Sequence, residues 1–284
     1  MQCPKCHFEN EDGAVECHRC GIVFAKYHPH TEAPKPAKPA VEDPELQKEL
    51  RQEFQCRLLG IPLALLVARA GVAVFPFLVR LLTMLVHETG HAVTAWFCGF
   101  SATPGIWFTP VSEERELWVS LVVIGGLAAL GAWGWKSDRR YLIAVSVLLF
   151  LVHLYCRHLP WARAQALIIF GGDGGALVLG TLLMTSLYVR RDTAVYQNEL
   201  RWGFVVIGAA AFMDAFHTWS GREEDIPFGV QEGTQTDPSQ LVENYGWTIP
   251  GMMQTYVRLG ELCLVVLAIV YIAGIIRARG SIQA

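Results

Sequence analysis

The chain has 284 residues, of which 52% are hydrophobic and 17% charged, and its formal net charge is −3. This balance excludes a strongly basic nucleic-acid-binding protein, so no nucleic-acid partner is expected. Long apolar runs between Leu58 and Ile276 favour a multi-pass membrane protein over a soluble core. Residues 1–20 are polar and rich in cysteine, unlike a secretory signal peptide.

Two Cys-x-x-Cys pairs lie near the N-terminus, formed by Cys3, Cys6, Cys17 and Cys20. This spacing is typical of a tetrahedral thiolate zinc site and resembles the small zinc-ribbon modules of many bacterial proteins. We predict a structural zinc ribbon over residues 1–27, with two redox pairs without metal as the alternative. Because the thiols must stay reduced, the ribbon favours a cytoplasmic N-terminus. It is better suited to binding a cytoplasmic protein partner than to catalysis.

A linker and a polar-faced helix are predicted to follow the ribbon. Residues 28–44 contain five prolines, which indicates a semi-rigid linker. Residues 45–57 are predicted to form an amphipathic helix, with Leu46, Leu50 and Phe54 on one face. This helix either lies on the membrane surface or packs against the ribbon.

Residues 58–284 form the predicted transmembrane domain. The stretch Leu58–Phe100 is either two spans, Leu58–Phe75 and Phe77–Phe97, or an interfacial piece followed by one long span. Later apolar segments each approach the ~20 residues that a helix needs to cross a bilayer. They are Leu117–Trp135, Tyr141–Cys156, Ala164–Val189, Trp202–Trp219 and Met253–Ile276. The predicted fold class is therefore an all-α polytopic membrane protein with six or seven transmembrane helices and an N-terminal zinc ribbon.

Charge asymmetry bears on the orientation of these spans. Basic clusters occur at residues 136–140, 190–201 and 277–279, and the positive-inside rule places all three in the cytoplasm. The acidic connections Ser112–Glu116 and Gly221–Glu243 then face outward. A cytoplasmic ribbon requires six spans for this arrangement, whereas seven spans would reverse every later loop.

The helix predicted over Leu81–Phe100 carries three polar residues in an apolar setting: His87, Glu88 and His91. Histidines four residues apart share one helix face, which is the spacing that two imidazoles need to bind one zinc ion. Polar residues inside a membrane span are costly and are functional by default. A chance match to the motif is the alternative interpretation.

A second polar position lies in the glycine-rich segment Phe170–Gly175, where Asp173 interrupts an apolar run. A buried carboxylate needs a partner, and Asp173 can supply the third protein ligand of a catalytic zinc site. The alternative is a carboxylate that caps a bent helix. Asp214 and His217 are predicted to be an alternative ligand pair, to orient His87 or His91, or to satisfy each other.

The motif His-Glu-Thr-Gly-His-Ala, followed in a later span by Asp-Gly-Gly, resembles the site-2 protease family of intramembrane zinc metalloproteases. The resemblance covers Leu78–Leu183. It implies that His87, His91 and Asp173 bind a catalytic zinc ion and that Glu88 is the base. The chain departs from the family by lacking an Asn-Pro stretch before Asp173. In addition, the family's zinc tends to lie nearer the cytoplasmic face, whereas the six-span arrangement puts His87 and His91 in the outer half.

The predicted activity is zinc-dependent hydrolysis of a peptide bond in a membrane-anchored protein, with Glu88 as the base that acts on water at the zinc. One catalytic and one structural zinc ion, a membrane-anchored substrate and the lipid bilayer are the implied cofactors and partners. One alternative is a non-proteolytic membrane scaffold or regulator that uses the ribbon to bind a partner. Another is an ion or proton-relay transporter that uses His87, Glu88, Asp173 and Asp214.

Overall fold

A computed structural model describes residues 1–26, 44–231 and 233–282. The predicted proline-rich linker lies outside the described residues except for Pro44. The chain divides into two compact units, one within residues 1–48 and one over residues 49–282.

The N-terminal unit consists of two similar turns. Backbone hydrogen bonds join His7 N–H to the Cys3 carbonyl and Gly21 N–H to the Cys17 carbonyl. His7 and Gly21 close these turns with φ angles of 55° and 67°. Gly21 adopts this left-handed conformation without steric cost.

The second unit is mostly helical. Its helices are α1 (Pro44–Val74), α2 (Pro76–Cys98), α3 (Leu117–Lys136), α4 (Arg140–Arg157), α5 (Trp161–Thr185), α6 (Ala194–Gln197), α7 (Leu200–Ser220), α8 (Asp237–Glu243) and α9 (Ile249–Ile282). Two antiparallel hairpins join β1 (Phe100–Ala102) to β2 (Val111–Arg115) and β3 (Val230–Gln231) to β4 (Thr234–Gln235). Short 3₁₀ helices occupy Phe24–Lys26, Ser186–Tyr188 and Glu223–Asp225.

Each apolar segment predicted from the sequence forms a helix. The predicted interfacial helix and the first apolar segment form one continuous helix, α1, which ends at Val74. After Phe75, Pro76 is the first residue of α2. Proline lacks an N–H and restricts the residue before it, which suits a helix boundary at Phe75, whereas Pro62 lies inside α1.

Five described helices are long and apolar enough to cross a membrane: Pro44–Val74, Leu117–Lys136, Arg140–Arg157, Trp161–Tyr188 and Ile249–Gly280. These five helices are consistent with a membrane protein. Neither α2 nor α7 is among them, and the number of crossings, six or seven, stays a prediction, as does the cytoplasmic N-terminus.

Helix α5 is the centre of the bundle. In its most apolar stretch, 56% of the residues are buried. In the corresponding stretches of the other four candidate spans, at most 22% are buried. Helices α2, α7, α8 and α9 pack against it, while α3 and α4 pair with each other. Leu177 and Met184 of α5 are fully buried against Phe212 of α7 and Tyr256 of α9.

Glycines allow α2 and α5 to approach closely at the functional motif. A Cβ atom at Gly90 of α2 would overlap the carbonyl oxygen of Gly171 and the Cα atom of Gly175 in α5. The two backbones therefore touch at this point, as small residues permit in membrane bundles. The contact brings the histidines of α2 against the glycine-rich segment of α5.

The loop after α2 folds into the β1–β2 hairpin. Ile106–Phe108 lie in the loop between the strands, although their residue types favour a β-strand. All three apolar side chains are exposed.

Candidate metal centres

The four ribbon cysteines converge as predicted and could hold one metal ion. The sulfur atoms of Cys3 and Cys20 lie 3.7 Å apart, and those of Cys6 and Cys17 lie 3.6 Å apart. Tetrahedral zinc with Zn–S bonds of about 2.3 Å would separate its ligands by about 3.8 Å, so these two separations match zinc, and all four sulfur atoms lie within 4.8 Å of one another.

Hydrogen bonds in the ribbon favour a thiolate. Burial opposes ionisation of Cys17, but backbone N–H groups of Cys20 and Arg19 lower the pKa of its thiol to about 6. Because thiolates, and not thiols, bind zinc, the turn prepares Cys17 for metal binding at neutral pH.

A second donor group forms where α2, α5 and α8 meet. The Nε2 atoms of His87 and His91 lie 3.1 Å apart. The Oδ2 atom of Asp237 lies 3.2 Å from the first and 3.1 Å from the second. These residues could hold a metal ion together.

In each ring, the hydrogen-bond partner of Nδ1 shows whether this nitrogen carries a proton. His91 Nδ1 lies 2.7 Å from the carbonyl oxygen of Ile168, which can only accept a hydrogen bond. His87 Nδ1 lies 2.9 Å from Oδ1 of Asp173, an acceptor when ionised. Each Nδ1 therefore carries a proton, and in a neutral ring each Nε2 presents a lone pair.

Three lone pairs thus point at one position. In the absence of a shared proton they repel one another, whereas a cation between them converts the repulsion into ligation. Tetrahedral zinc with bonds of about 2.0–2.1 Å would hold its ligand atoms about 3.3 Å apart, within a few tenths of an ångström of the observed separations. The geometry and chemistry of the donors therefore fit zinc.

Gly172 of α5 keeps space beside these donors. A Cβ atom there would lie 2.5 Å from His91 Nε2 and 2.7 Å from His87 Nε2. Both distances are shorter than van der Waals contact. Glycine at this position therefore leaves room that any other side chain would fill.

The surrounding charges also favour a cation. Three carboxylates are linked to the histidines and Arg80, those of Asp173, Asp214 and Asp237, and the first two residues are buried. Arg80 is the cation that contacts two of them, at 3.1 Å from Asp214 and 3.7 Å from Asp173. Burying several carboxylates against a single guanidinium is costly, and a divalent ion would offset much of this cost.

Asp173 lies at the site, but its oxygens face other partners. Oδ1 contacts the Nδ1 side of His87, which is opposite the Nε2 lone pair, and Oδ2 accepts a hydrogen bond of 2.8 Å from Trp219 Nε1. Asp173 is therefore placed to orient His87, and Asp237 takes the place facing both Nε2 atoms. The ligand role inferred for Asp173 from the sequence stays a prediction.

Glu88 is buried on α2 beside the donors. The hydroxyl oxygen of Thr109 lies 2.7 Å from Oε2 of Glu88 and 3.0 Å from its backbone oxygen. Thr109 comes from the loop between β1 and β2, so this loop fixes the orientation of the proposed base.

Sequence reasoning missed Asp237 and Thr109. Asp237 precedes Pro238 in an acidic connection, a pattern that indicates a helix start and gives no sign of a ligand. Asp237 is the first residue of α8. Its position beside the histidines becomes visible only once the fold brings α8 to α2.

Amide substitutions can separate the two aspartates. We expect Asp237→Asn to weaken metal binding by more than about 100-fold at the site formed by His87, His91 and Asp237, which is called the membrane site below to distinguish it from the cysteine site. Asp173→Asn should weaken it by about 10–100-fold, the usual range for a group that only orients a ligating imidazole. Titration of the detergent-solubilised chain with Co²⁺ measures this, since thiolate absorption distinguishes the ribbon site.

The matched control is Asp192→Asn, which makes the same chemical change at an exposed residue. A larger loss from Asp173→Asn than from Asp237→Asn would identify Asp173 as the ligand and Asp237 as the supporting group.

Fold and site together describe a helical chain with helices able to cross a membrane and two sets of side chains that could hold metal ions. In comparisons with known proteins, no family model, no curated protein and no solved structure matches this chain.

Proposed function

We propose that the chain is an intramembrane zinc metalloprotease that cleaves membrane-anchored proteins. The observation that carries the proposal is the convergence of two Nε2 lone pairs and the Asp237 carboxylate within 3.2 Å. Glu88, buried next to His87 in sequence, supplies the carboxylate base that peptide hydrolysis requires.

His87, His91 and Asp237 would hold the catalytic zinc ion, with Asp173 hydrogen-bonded to His87. When bound, zinc supplies a Lewis acid that polarises the scissile carbonyl and makes water more acidic. A site with three protein donors would leave the metal accessible to water or substrate, as in catalytic zinc sites.

The protein's own groups then perform the proton transfers. Glu88 takes a proton from the attacking water on its carboxylate and delivers it to the amine that leaves. The Thr109 hydroxyl holds Oε2 of Glu88 in place, while Asp173 and the Ile168 carbonyl keep Nδ1–H on each imidazole. Close packing of α2 on α5 shields the site, which strengthens these electrostatic contacts.

The substrate class follows from the location. A site built on helices within the apolar bundle meets polypeptides that are themselves anchored in the membrane. A helical substrate hides its carbonyl groups in internal hydrogen bonds, so the cleaved segment must unwind locally. The ribbon, on its separate unit, is proposed to bind a cytoplasmic protein partner.

The test is zinc-dependent formation of new protein termini in membranes of cells that express the chain. Quantitative mass spectrometry of termini should find fragments that require the wild-type chain and disappear with His91→Ala. His158→Ala, which removes an exposed histidine at the end of α4, is the control and should retain them. Fragments that persist in His91→Ala would contradict the proposal.

An ion or proton relay is the second candidate, because polar contacts run without a break from Asp214 through Arg80 and Asp173 to His87 and Asp237. A relay predicts proton flux into proteoliposomes that needs no zinc and is lost in Asp214→Asn. Flux without cleavage would favour the relay over the protease.

A further inference from the structure

The carboxylate of Asp173 is held from two sides. His87 donates to Oδ1 and Trp219 donates to Oδ2, at 2.9 and 2.8 Å. Trp219 is fixed in turn by stacking on Tyr256, with ring centroids 4.0 Å apart. Asp173 can therefore orient His87 only while Oδ1 remains available to Nδ1.

Arg80 competes for that oxygen. Its Nη1 atom lies 3.7 Å from Asp173 Oδ1, close enough for an ion pair but beyond an ordinary hydrogen bond. A guanidinium readily closes on a carboxylate in a bidentate pair. Such a closure would draw Oδ1 away from His87 and release the imidazole.

Asp214 of α7 holds Arg80 at this intermediate distance. Its Oδ2 accepts hydrogen bonds from Arg80 Nη1 at 3.1 Å and from Thr83 Oγ1 at 2.9 Å. Thr83 and Asp214 are both buried. Arg80 thus lowers the electrostatic cost of burying the Asp173 carboxylate. It leaves free the Oδ1 lone pair that accepts the hydrogen bond from His87.

We propose that Asp214, fixed by Thr83, is a positioning residue that restrains Arg80 and thereby keeps Asp173 bonded to Nδ1 of His87. The proposal deepens the proposed function, because it rests on His87 being a ligand of the catalytic metal. Asp214 acts through the side chains of Arg80 and Asp173, and it touches neither metal nor substrate itself.

The test follows the His87 ring directly. Protein with ¹⁵N-labelled histidine is prepared without metal in detergent, and the His87 signals are assigned by their loss in His87→Gln. In wild type we expect one tautomer with the proton on Nδ1. In Asp214→Asn we expect the His87 signals to show tautomer exchange. Metal affinity at the membrane site should fall by about 10–100-fold, as for other groups that orient a ligand.

Two further variants separate positioning from a general loss of structure. Asp214→Glu keeps the carboxylate and should restore both the tautomer and the affinity, while Asp192→Asn should match wild type. A folded Asp214→Asn protein with wild-type His87 signals and metal affinity would overturn the proposal. If Asp214→Asn does not fold, Thr83→Val provides the test instead. This variant should shift the His87 signals in the same direction, and unchanged signals would overturn the proposal.

These readouts remain distinct from proteolysis. The tautomer is measured without metal, so a chain that cleaves no protein but shows these shifts would keep the positioning role and lose the protease assignment.

Discussion

Replacing Glu88 with glutamine is expected to abolish cleavage while both metal sites still bind zinc. An amide of the same shape retains packing and can still pair with Thr109, but it cannot accept the proton of an attacking water. Loss of a general base typically lowers the rate by about 10²–10⁴-fold, which would bring cleavage below detection. Counting new protein termini in cells and zinc per purified chain measures the two effects separately.

The control for this prediction is Glu224→Gln, because Glu224 is exposed and belongs to the short 3₁₀ helix after α7. It should leave cleavage unchanged. Undiminished cleavage by Glu88→Gln would exclude Glu88 as the base. Loss of zinc in that variant would instead indicate that Glu88 supports the metal site.

Adding one methyl group at Gly172 is expected to remove metal from the membrane site. The Cβ atom of alanine would stand 2.5 Å from His91 Nε2 and 2.6 Å from His87 Cε1, so the imidazoles must move away from each other or α5 must shift. Overpacking of this kind costs about 1–3 kcal/mol even where the structure can relax. The purified chain should therefore hold one zinc ion instead of two, with the ribbon site intact.

Gly125→Ala provides the matched control, because a Cβ atom at Gly125 of α3 meets no other atom within 4 Å. Alanine also favours helix by about 1 kcal/mol over glycine, so this variant should keep both ions and its thermal stability. Two zinc ions in Gly172→Ala would show that the donors do not converge beside Gly172.

Much of the helical fold was predictable, because apolar runs near the length of a membrane crossing become helices whatever their neighbours are. Pro76 begins α2 but Pro62 lies inside α1, so proline alone did not predict where α1 ends. Which helices cross the bilayer was less predictable. Helix α2 carries Arg80, His87, Glu88 and His91, so its composition differs from that of a lipid-facing span.

The site residues can be divided in the same way. Some are positioned by a single helix, and others by contacts between elements that are far apart in sequence. His87, Glu88 and His91 are placed by one helix, so their spacing in sequence predicts their arrangement in space. Asp237 depends on how α8 packs against α5, and no periodicity in the chain reports such a contact. Asp173 lies beside His87, but its hydrogen bond with Trp219 and its ion pair with Arg80 depend on the complete bundle.

The order of the three donors along the chain has a consequence for biosynthesis, because five described helices, α3 to α7, separate the two histidines from Asp237. When the ribosome has produced the two histidines, the third donor is still untranslated. A nascent chain therefore lacks the complete donor set until α8 has emerged and packed. A metal that needs all three donors is bound only after the helices between them have been made.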